Sequence, residues 1–174
     1  GLGVDKLKEL SAAAGVEIAN LNSPEQTVLS GEKTRIIEAE KLAKAAGASR
    51  TIVLNVAGAF HSSLMGSAAV QLEKFLAQVK FARPSMPVVS NVTGQPHGEP
   101  DDIRRAMVRQ VTSPVQWVSS VMSFKSQGVT EYVECGPGKV LSGLIKRIDK
   151  EAGVTNIQDI ATLKKAAAAI QAQP

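Results

Sequence analysis

Two histidines and a single cysteine bound the chemistry available to this chain of 174 residues. His61 stands at the more suggestive position. It lies between Ala57-Gly58-Ala59, which reads as the exit of a strand, and a run with helical spacing, with Ser62 or Ser63 available as the cap. A helix N-terminus disfavours the imidazolium, so a histidine placed there stays neutral and can act as a general base toward a cleft. Position alone equally allows an ordinary loop histidine. His97 falls in the turn-rich stretch Thr93-Gly94-Gln95-Pro96-His97-Gly98 and reads as solvated. With no His-Glu-x-x-His or comparable spacing, the histidines make no metal site. Cys135 alone excludes an internal disulfide and a cysteine-based zinc site, and reads as a small apolar filler at a strand end. A Gly-x-Ser-x-Gly elbow is missing, so a serine-nucleophile mechanism cannot be completed within these residues. Gly136-Pro137-Gly138-Lys139 joins a strand to a helix without the Walker A spacing and reads as a tight turn. Asn91-Val92-Thr93 matches a glycosylation acceptor, which has no meaning without a secretory signal.

The elements that must position these groups follow from periodicity. Val4, Leu7, Leu10 and Ala14 recur at helical spacing, and Gly15 is placed to end that helix. Residues 16–21 read as a strand, 22–25 as a turn and 26–30 as a second strand. Ile36, Ala39, Ala43 and Ala46 line a helix that stops at Gly47, and the β-branched run 49–56 predicts a third strand. After His61, the residues Met65, Ala68, Ala69, Leu72, Leu76 and Val79 predict a long helix closed by Arg83-Pro84. Residues 87–92 read as a short buried strand. Helices follow at 101–110 and 115–127, with Trp117, Val121 and Phe124 inward in the second, then a strand at 129–135 and helices at 139–150 and 158–171. Such alternation argues for an α/β layer fold. The first part, helix, strand, strand, helix, strand, is a βαββαβ unit lacking its first strand, so it reads as a split ferredoxin-like subdomain that something upstream completes.

Composition narrows the class further. Hydrophobic content of 44% with 21% charged residues is ordinary for a globular chain, and no run approaches a membrane span. The start, Gly1-Leu2-Gly3-Val4-Asp5-Lys6, has no secretory pattern, and the compartment is read as cytoplasmic. Net charge is +4 and aromatic residues make up only 3%, so there is no basic stripe with interleaved rings of the kind that grips nucleic acid. The mild positive bias would suit an acidic protein partner or a phosphate-bearing cofactor, and plain solubility equally well.

Five blocks, in order along nearly the whole chain, carry a resemblance. They are Asn-Leu-Asn-Ser-Pro-Glu-Gln-Thr-Val-Leu-Ser-Gly at 20–31, Gly-Ala-Phe-His-Ser-Ser-Leu-Met at 58–65, Pro-Val-Val-Ser-Asn-Val at 87–92, Val-Arg-Gln-Val-Thr-Ser-Pro-Val-Gln-Trp at 108–117, and Val-Glu-Cys-Gly-Pro-Gly-Lys-Val-Leu at 133–141. On these the chain resembles the C-terminal part of bacterial malonyl-CoA:acyl carrier protein transacylases. The resemblance implies an α/β-hydrolase-like core, with 1–56 as the partial ferredoxin-like subdomain and 57–174 as the C-terminal part of the core.

It further implies transfer of malonyl from malonyl-CoA to the phosphopantetheine thiol of acyl carrier protein through an acyl-serine, in fatty acid biosynthesis, with no cofactor beyond malonyl-CoA as substrate. His61 matches the catalytic histidine, and Gln110 the residue whose backbone carbonyl orients it. Phe60 is similar to the bulky residue that malonyl-selective members set against the substrate α-carbon. Asn91 matches an asparagine near the cleft, where a turn-forming residue is the competing reading. Asn20, Asn22 and Gln26 fall in a block near the cleft entrance, where they either line it or simply make the turn. The serine elbow, the Gly-Gln-Gly-Ser oxyanion segment and the carboxylate-binding arginine are not among these residues. The resemblance therefore implies a missing N-terminal part as partner and no transferase activity for the chain by itself. Alternatives are an acyltransferase domain of a polyketide synthase and a catalytically inactive module that binds carrier protein. Neither nucleic acid nor membrane is expected as a partner.

Overall fold

A computed structural model describes residues 1–171; the end of the region expected at 57–174, residues 172–174, lies outside the described residues. The chain forms two compact units, one from Gly1 to Ser120 and one beginning at Val121.

The first unit opens with helix α1 (Val4–Ala14), whose Leu7, Leu10 and Ala14 are buried and which ends at Gly15 in the left-handed conformation that glycine adopts without steric cost. Strands β1 (Glu17–Ser23) and β2 (Gln26–Ser30) pair antiparallel, from Glu17 opposite Ser30 to Ser23 opposite Gln26. The turn is thus tighter than expected, because Asn22 and Ser23 remain in the strand. Helix α2 (Lys33–Ala45) packs on α1. Leu10, Ala14, Val16, Ala39 and Ala43 form the core between them. Alanine at 39 and 43 lets the helix backbone approach closely, so this small layer closes with few large side chains.

The expected strand at 49–56 does not form. Ile52, Val53, Leu54 and Val56 are 60, 48, 55 and 62% exposed. A β-branched run becomes a strand only where another backbone accepts its hydrogen bonds and a layer covers its faces, and no described residue does either here. The segment at 87–92 pairs only with the turn that follows it, through one isolated bridge of Val89 opposite Pro96, so no strand extends from it, and Val88 is 46% exposed. The long helix expected after His61 is shorter, with a 3-10 turn at Ser63–Met65 leading into α3 (Gly66–Leu76). Val79 lies beyond its end and is exposed.

Helix α4 (Pro100–Arg109) packs on α3 and starts with a reciprocal capping box between Glu99 and Asp102, with Pro100 at a position where its missing N–H costs nothing. Arg83 pairs with the Glu99 carboxylate. Helix α5 (Trp117–Ser126) carries the chain into the second unit, with Val121 almost wholly buried.

In the second unit β3 (Glu131–Cys135) pairs in parallel with β4 (Gly153–Ile157), a strand the sequence reading missed. Between them runs α6 (Val140–Ile148), and α7 (Ile160–Gln171) follows. Cys135 is at the end of β3, as expected, but is exposed, which corrects its reading as an apolar filler. The Gly136-Pro137-Gly138 stretch is a turn with both glycines at positive φ. The Glu134 carboxylate accepts hydrogen bonds from the N–H groups of Leu141 and Ser142 at 3.0 Å each and from the Ser142 hydroxyl. A carboxylate therefore already occupies the place at the α6 N-terminus that a phosphate would need. Among the described residues no helix is long and apolar enough to cross a membrane.

Candidate active site

The site is organised by the short segment between α4 and α5, residues 110–116, whose ends were expected in the flanking helices but lie outside them, α4 ending at Arg109 and α5 starting at Trp117. Its backbone reaches three other parts of the first unit. Val115 bridges to β1, donating its N–H to Ala19 O at 2.8 Å and accepting from Leu21 N–H at 2.9 Å. Gln116 donates its N–H to Asn91 O at 2.7 Å, and Val111 O accepts the N–H of His61 at 3.2 Å. The N–H groups of Gln110, Val111 and Thr112 bond back into α4, while the Gln110 and Val111 carbonyls and the backbone groups of Val115 and Gln116 N–H are left to pair with neighbouring elements.

His61 has a backbone φ of 59°, and among the described residues no other side-chain-bearing residue takes a positive φ. For an L-residue that conformation costs about 1–2 kcal/mol. Such strain persists only where neighbouring contacts over-determine it. Here the Ser62 hydroxyl turns back to Ala59 O at 2.6 Å, with Ser62 itself fully buried. The ring completes the set: Nδ1 lies 2.8 Å from Gln110 O. A carbonyl oxygen can only accept, so Nδ1 must carry the proton. In the neutral ring the other nitrogen, Nε2, is then an unprotonated acceptor, as a general base requires. The imidazole is half-buried.

Neither serine caps the following helix through its own side chain, contrary to expectation. Ser62 spends its hydroxyl on Ala59, and Ser63 directs both its N–H (2.9 Å) and its hydroxyl (2.6 Å) to Oε1 of Glu17. Glu17, the first residue of β1, had no signal in the sequence, because the contact spans 46 residues. Val111, acting through its carbonyl, was equally invisible.

The other anticipated residues fall into two groups. Asn91 and Gln110 come together, with Asn91 Nδ2 donating to Gln110 Oε1 at 3.3 Å, so Asn91 touches both the residue behind the histidine ring and, through its carbonyl, Gln116. Asn20 is bridged to Val115 and so sits on the same frame. Phe60, next to the histidine, is 51% exposed. A Cβ at Gly58 would lie 3.7 Å from the tip of the Phe60 ring, so the ring leans over Gly58. Asn22 is in β1, and Gln26 opens β2 opposite Ser23. His97 is half-buried and donates its backbone N–H to Val88 O at 2.8 Å, away from any catalytic arrangement.

No family model matches the chain. It is 39% identical over 169 residues, 94% of its length, to the malonyl CoA-acyl carrier protein transacylase of Staphylococcus aureus (strain COL), of which it covers 55%. Among solved structures it is similar to the malonyl-CoA:acyl carrier protein transacylase of Xanthomonas oryzae pv. oryzae, with a TM-score of 0.92 and 39% identity, covering 97% of this chain and 55% of that one. It is also similar to a malonyl-transacylase solved in complex with its type II PKS acyl-carrier protein, with a TM-score of 0.89 and 38% identity over 95% of this chain and 55% of that one. The chain thus has the mixed α/β fold of these transacylases and spans about half the length of the relatives it matches.

Proposed function

We propose that this chain is the histidine-bearing part of a malonyl-CoA:acyl carrier protein transacylase and supplies half of its active site. The observation that carries the proposal is the contact between His61 Nδ1 and the Gln110 carbonyl, which leaves Nε2 free to take a proton. In the complete enzyme a serine outside these residues attacks the thioester of malonyl-CoA, and Nε2 takes its proton. The tetrahedral intermediate collapses, and the imidazolium returns that proton to the leaving coenzyme A thiolate. The carrier protein's phosphopantetheine thiol then gives its proton to Nε2 and attacks the malonyl-serine ester, and the serine oxygen recovers the proton as it leaves. Throughout, the Gln110 carbonyl accepts from Nδ1–H and stabilises the ring when it is charged.

Phe60 faces the α-carbon of the bound acyl group, and Asn91 supports Gln110 from behind. Asn20, Asn22 and Gln26 belong to the cleft entrance on the same reading. Residues 1–56 are the partial ferredoxin-like subdomain and 57–174 the partial hydrolase-like core, working in the cytoplasm on malonyl-CoA and acyl carrier protein, with no resident cofactor. The exposed apolar run at 52–56 supports a missing part that pairs with it. A second reading, the acyltransferase of a polyketide synthase, is favoured by the similarity to the transacylase bound to a type II PKS acyl-carrier protein.

The test is malonyl transfer from malonyl-CoA to holo acyl carrier protein by the full-length protein, wild type against His61→Ala. A loss in kcat of about 100-fold or more is expected. Transfer at the wild-type rate after that substitution would end the assignment of His61 as base, and efficient transfer only to a polyketide carrier protein would favour the second reading.

A further inference from the structure

We propose that Glu17 is a positioning residue for His61, closing a ring of contacts that holds the strained histidine backbone. The inference rests on the reading of His61 as the general base. A left-handed histidine relaxes unless both flanks are fixed. On the upstream side the Ser62 hydroxyl bonds Ala59 O, and the His61 N–H bonds Val111 O. Downstream the chain enters the 3-10 turn at Ser63–Met65, whose first N–H groups have no partner within the turn, and whose cap residue Ser62 makes no side-chain cap. The Glu17 carboxylate fills that gap from another element, accepting both Ser63 donors on a single oxygen.

What makes Glu17 a suitable anchor is the strand that carries it. Strand β1 is bonded at Ala19 and Leu21 to Val115, in the segment whose Gln110 and Val111 carbonyls hold the ring and backbone of His61. The contacts therefore form a closed circuit: His61 to Gln110 and Val111, along the segment to Val115, across to β1, from Glu17 to Ser63, and back to His61. Removing Glu17 opens the circuit at the link between β1 and the Ser63 turn, which the Glu17 side chain supplies. An anionic acceptor at a helix start is favoured by the exposed N–H groups, and charge-assisted hydrogen bonds are about twice as strong as neutral ones. The carboxylate is exposed, so its contribution to global stability is small while its effect on ring placement is direct.

The experiment uses the full-length protein with Glu17→Ala and Glu17→Gln, measuring kcat and KM for malonyl-CoA together with the imidazole nitrogen and Nδ1–H signals of His61 by NMR. Glu17→Ala is expected to lower kcat by about tenfold with KM nearly unchanged, since small misplacements of a catalytic group are costly in rate. The His61 Nδ1–H signal should broaden or exchange faster. Glu17→Gln keeps the shape and one carbonyl oxygen, and is expected to fall between Ala and wild type; being isosteric, it carries the test if the alanine variant fails to fold. Wild-type kcat and an unchanged Nδ1–H signal in both variants would overturn the proposal, as would equal changes in kcat and KM accompanied by a lowered melting temperature. His61→Ala is run alongside: if it transfers malonyl normally the general-base reading fails, whereas silence of the Glu17 variants with an inactive His61→Ala removes the anchor alone.

Discussion

The Nδ1 atom of His61 lies 2.8 Å from the carbonyl oxygen of Gln110, 49 residues further along the chain. The partner is a main-chain atom, so the orientation of the His61 ring depends on where the end of α4 lies and not on which side chain stands there. The Gln110 side chain does something separate, accepting from Asn91 at 3.3 Å.

Gln110→Ala should therefore leave the ring's hydrogen bond in place and remove only a long, exposed side-chain bond, worth about 1 kcal/mol or less. In the full-length protein kcat should stay within about fivefold of wild type, as that energy implies. A loss as large as that of His61→Ala would show that the side chain, and not the carbonyl, supports the base.

The φ of 59° at His61 predicts a conflict between activity and stability at one residue. Glycine adopts that conformation freely, so His61→Gly should be about 1 kcal/mol more stable than His61→Ala while both lack transfer. Urea unfolding of the two variants measures the difference, and an alanine variant equal to or more stable than glycine would mean the backbone relaxes once the ring is gone.

Gly94 ends the stretch that carries Asn91, with φ of 65° and its N–H bonded to Ser90 O at 2.8 Å. A Cβ there would lie 2.5 Å from Ser119 Cβ and 3.1 Å from the Ser119 carbonyl carbon. Gly94→Ala adds an unfavourable φ to a clash with backbone, and a loss of about 2–4 kcal/mol is expected from the two together. Thermal melting of the variant, with wild-type behaviour as the contrary result, checks it.

In the second unit Asp149 is 6% exposed, and Lys125 Nζ lies 3.1 Å from its carboxylate. The hydrogen bond from Lys125 holds this carboxyl below the ordinary aspartate value, against burial, which pushes it up, and with help from the Glu151 N–H. A depressed pKa in the folded state means that the stabilisation is complete above the unfolded value of about 4 and fades as pH falls toward the folded value. Asp149→Asn should lower the melting temperature at neutral pH and make the decline below about pH 4 shallower. Parallel melting curves for variant and wild type across that range would contradict this account.

Phe60 is 51% exposed beside the histidine, and the proposed function sets it against the acyl group. Phe60→Ala should narrow the preference for malonyl-CoA over methylmalonyl-CoA by about tenfold, the usual range for one methyl group in a pocket. Competition between the two thioesters measures the ratio, and an unchanged ratio removes Phe60 from extender selection.

Local sequence determined much of the scaffold. The helix ending at Gly15 and the antiparallel pair meeting at Pro24 and Glu25 each depend on neighbours a few residues away, and periodicity and turn chemistry reveal them. His61 was legible as a candidate from its place before a helix. The runs at 52–56 and 87–92 have the composition of strands, yet they are not strands here, because pairing is a property of two backbones and composition describes only one.

Tertiary structure alone decided how His61 is held. The left-handed φ of His61, the Val111 carbonyl behind its N–H, and the Glu17 carboxylate on Ser63 join positions 46 to 50 residues apart through main-chain atoms and a single strand-end side chain. A carbonyl carries no sequence signature, and a lone glutamate reads as solvent-facing until the fold brings a helix start to it. Local sequence therefore offered His61 as a candidate, and the packing of the 110–116 segment against β1 determined which of its ring nitrogens meets a carbonyl.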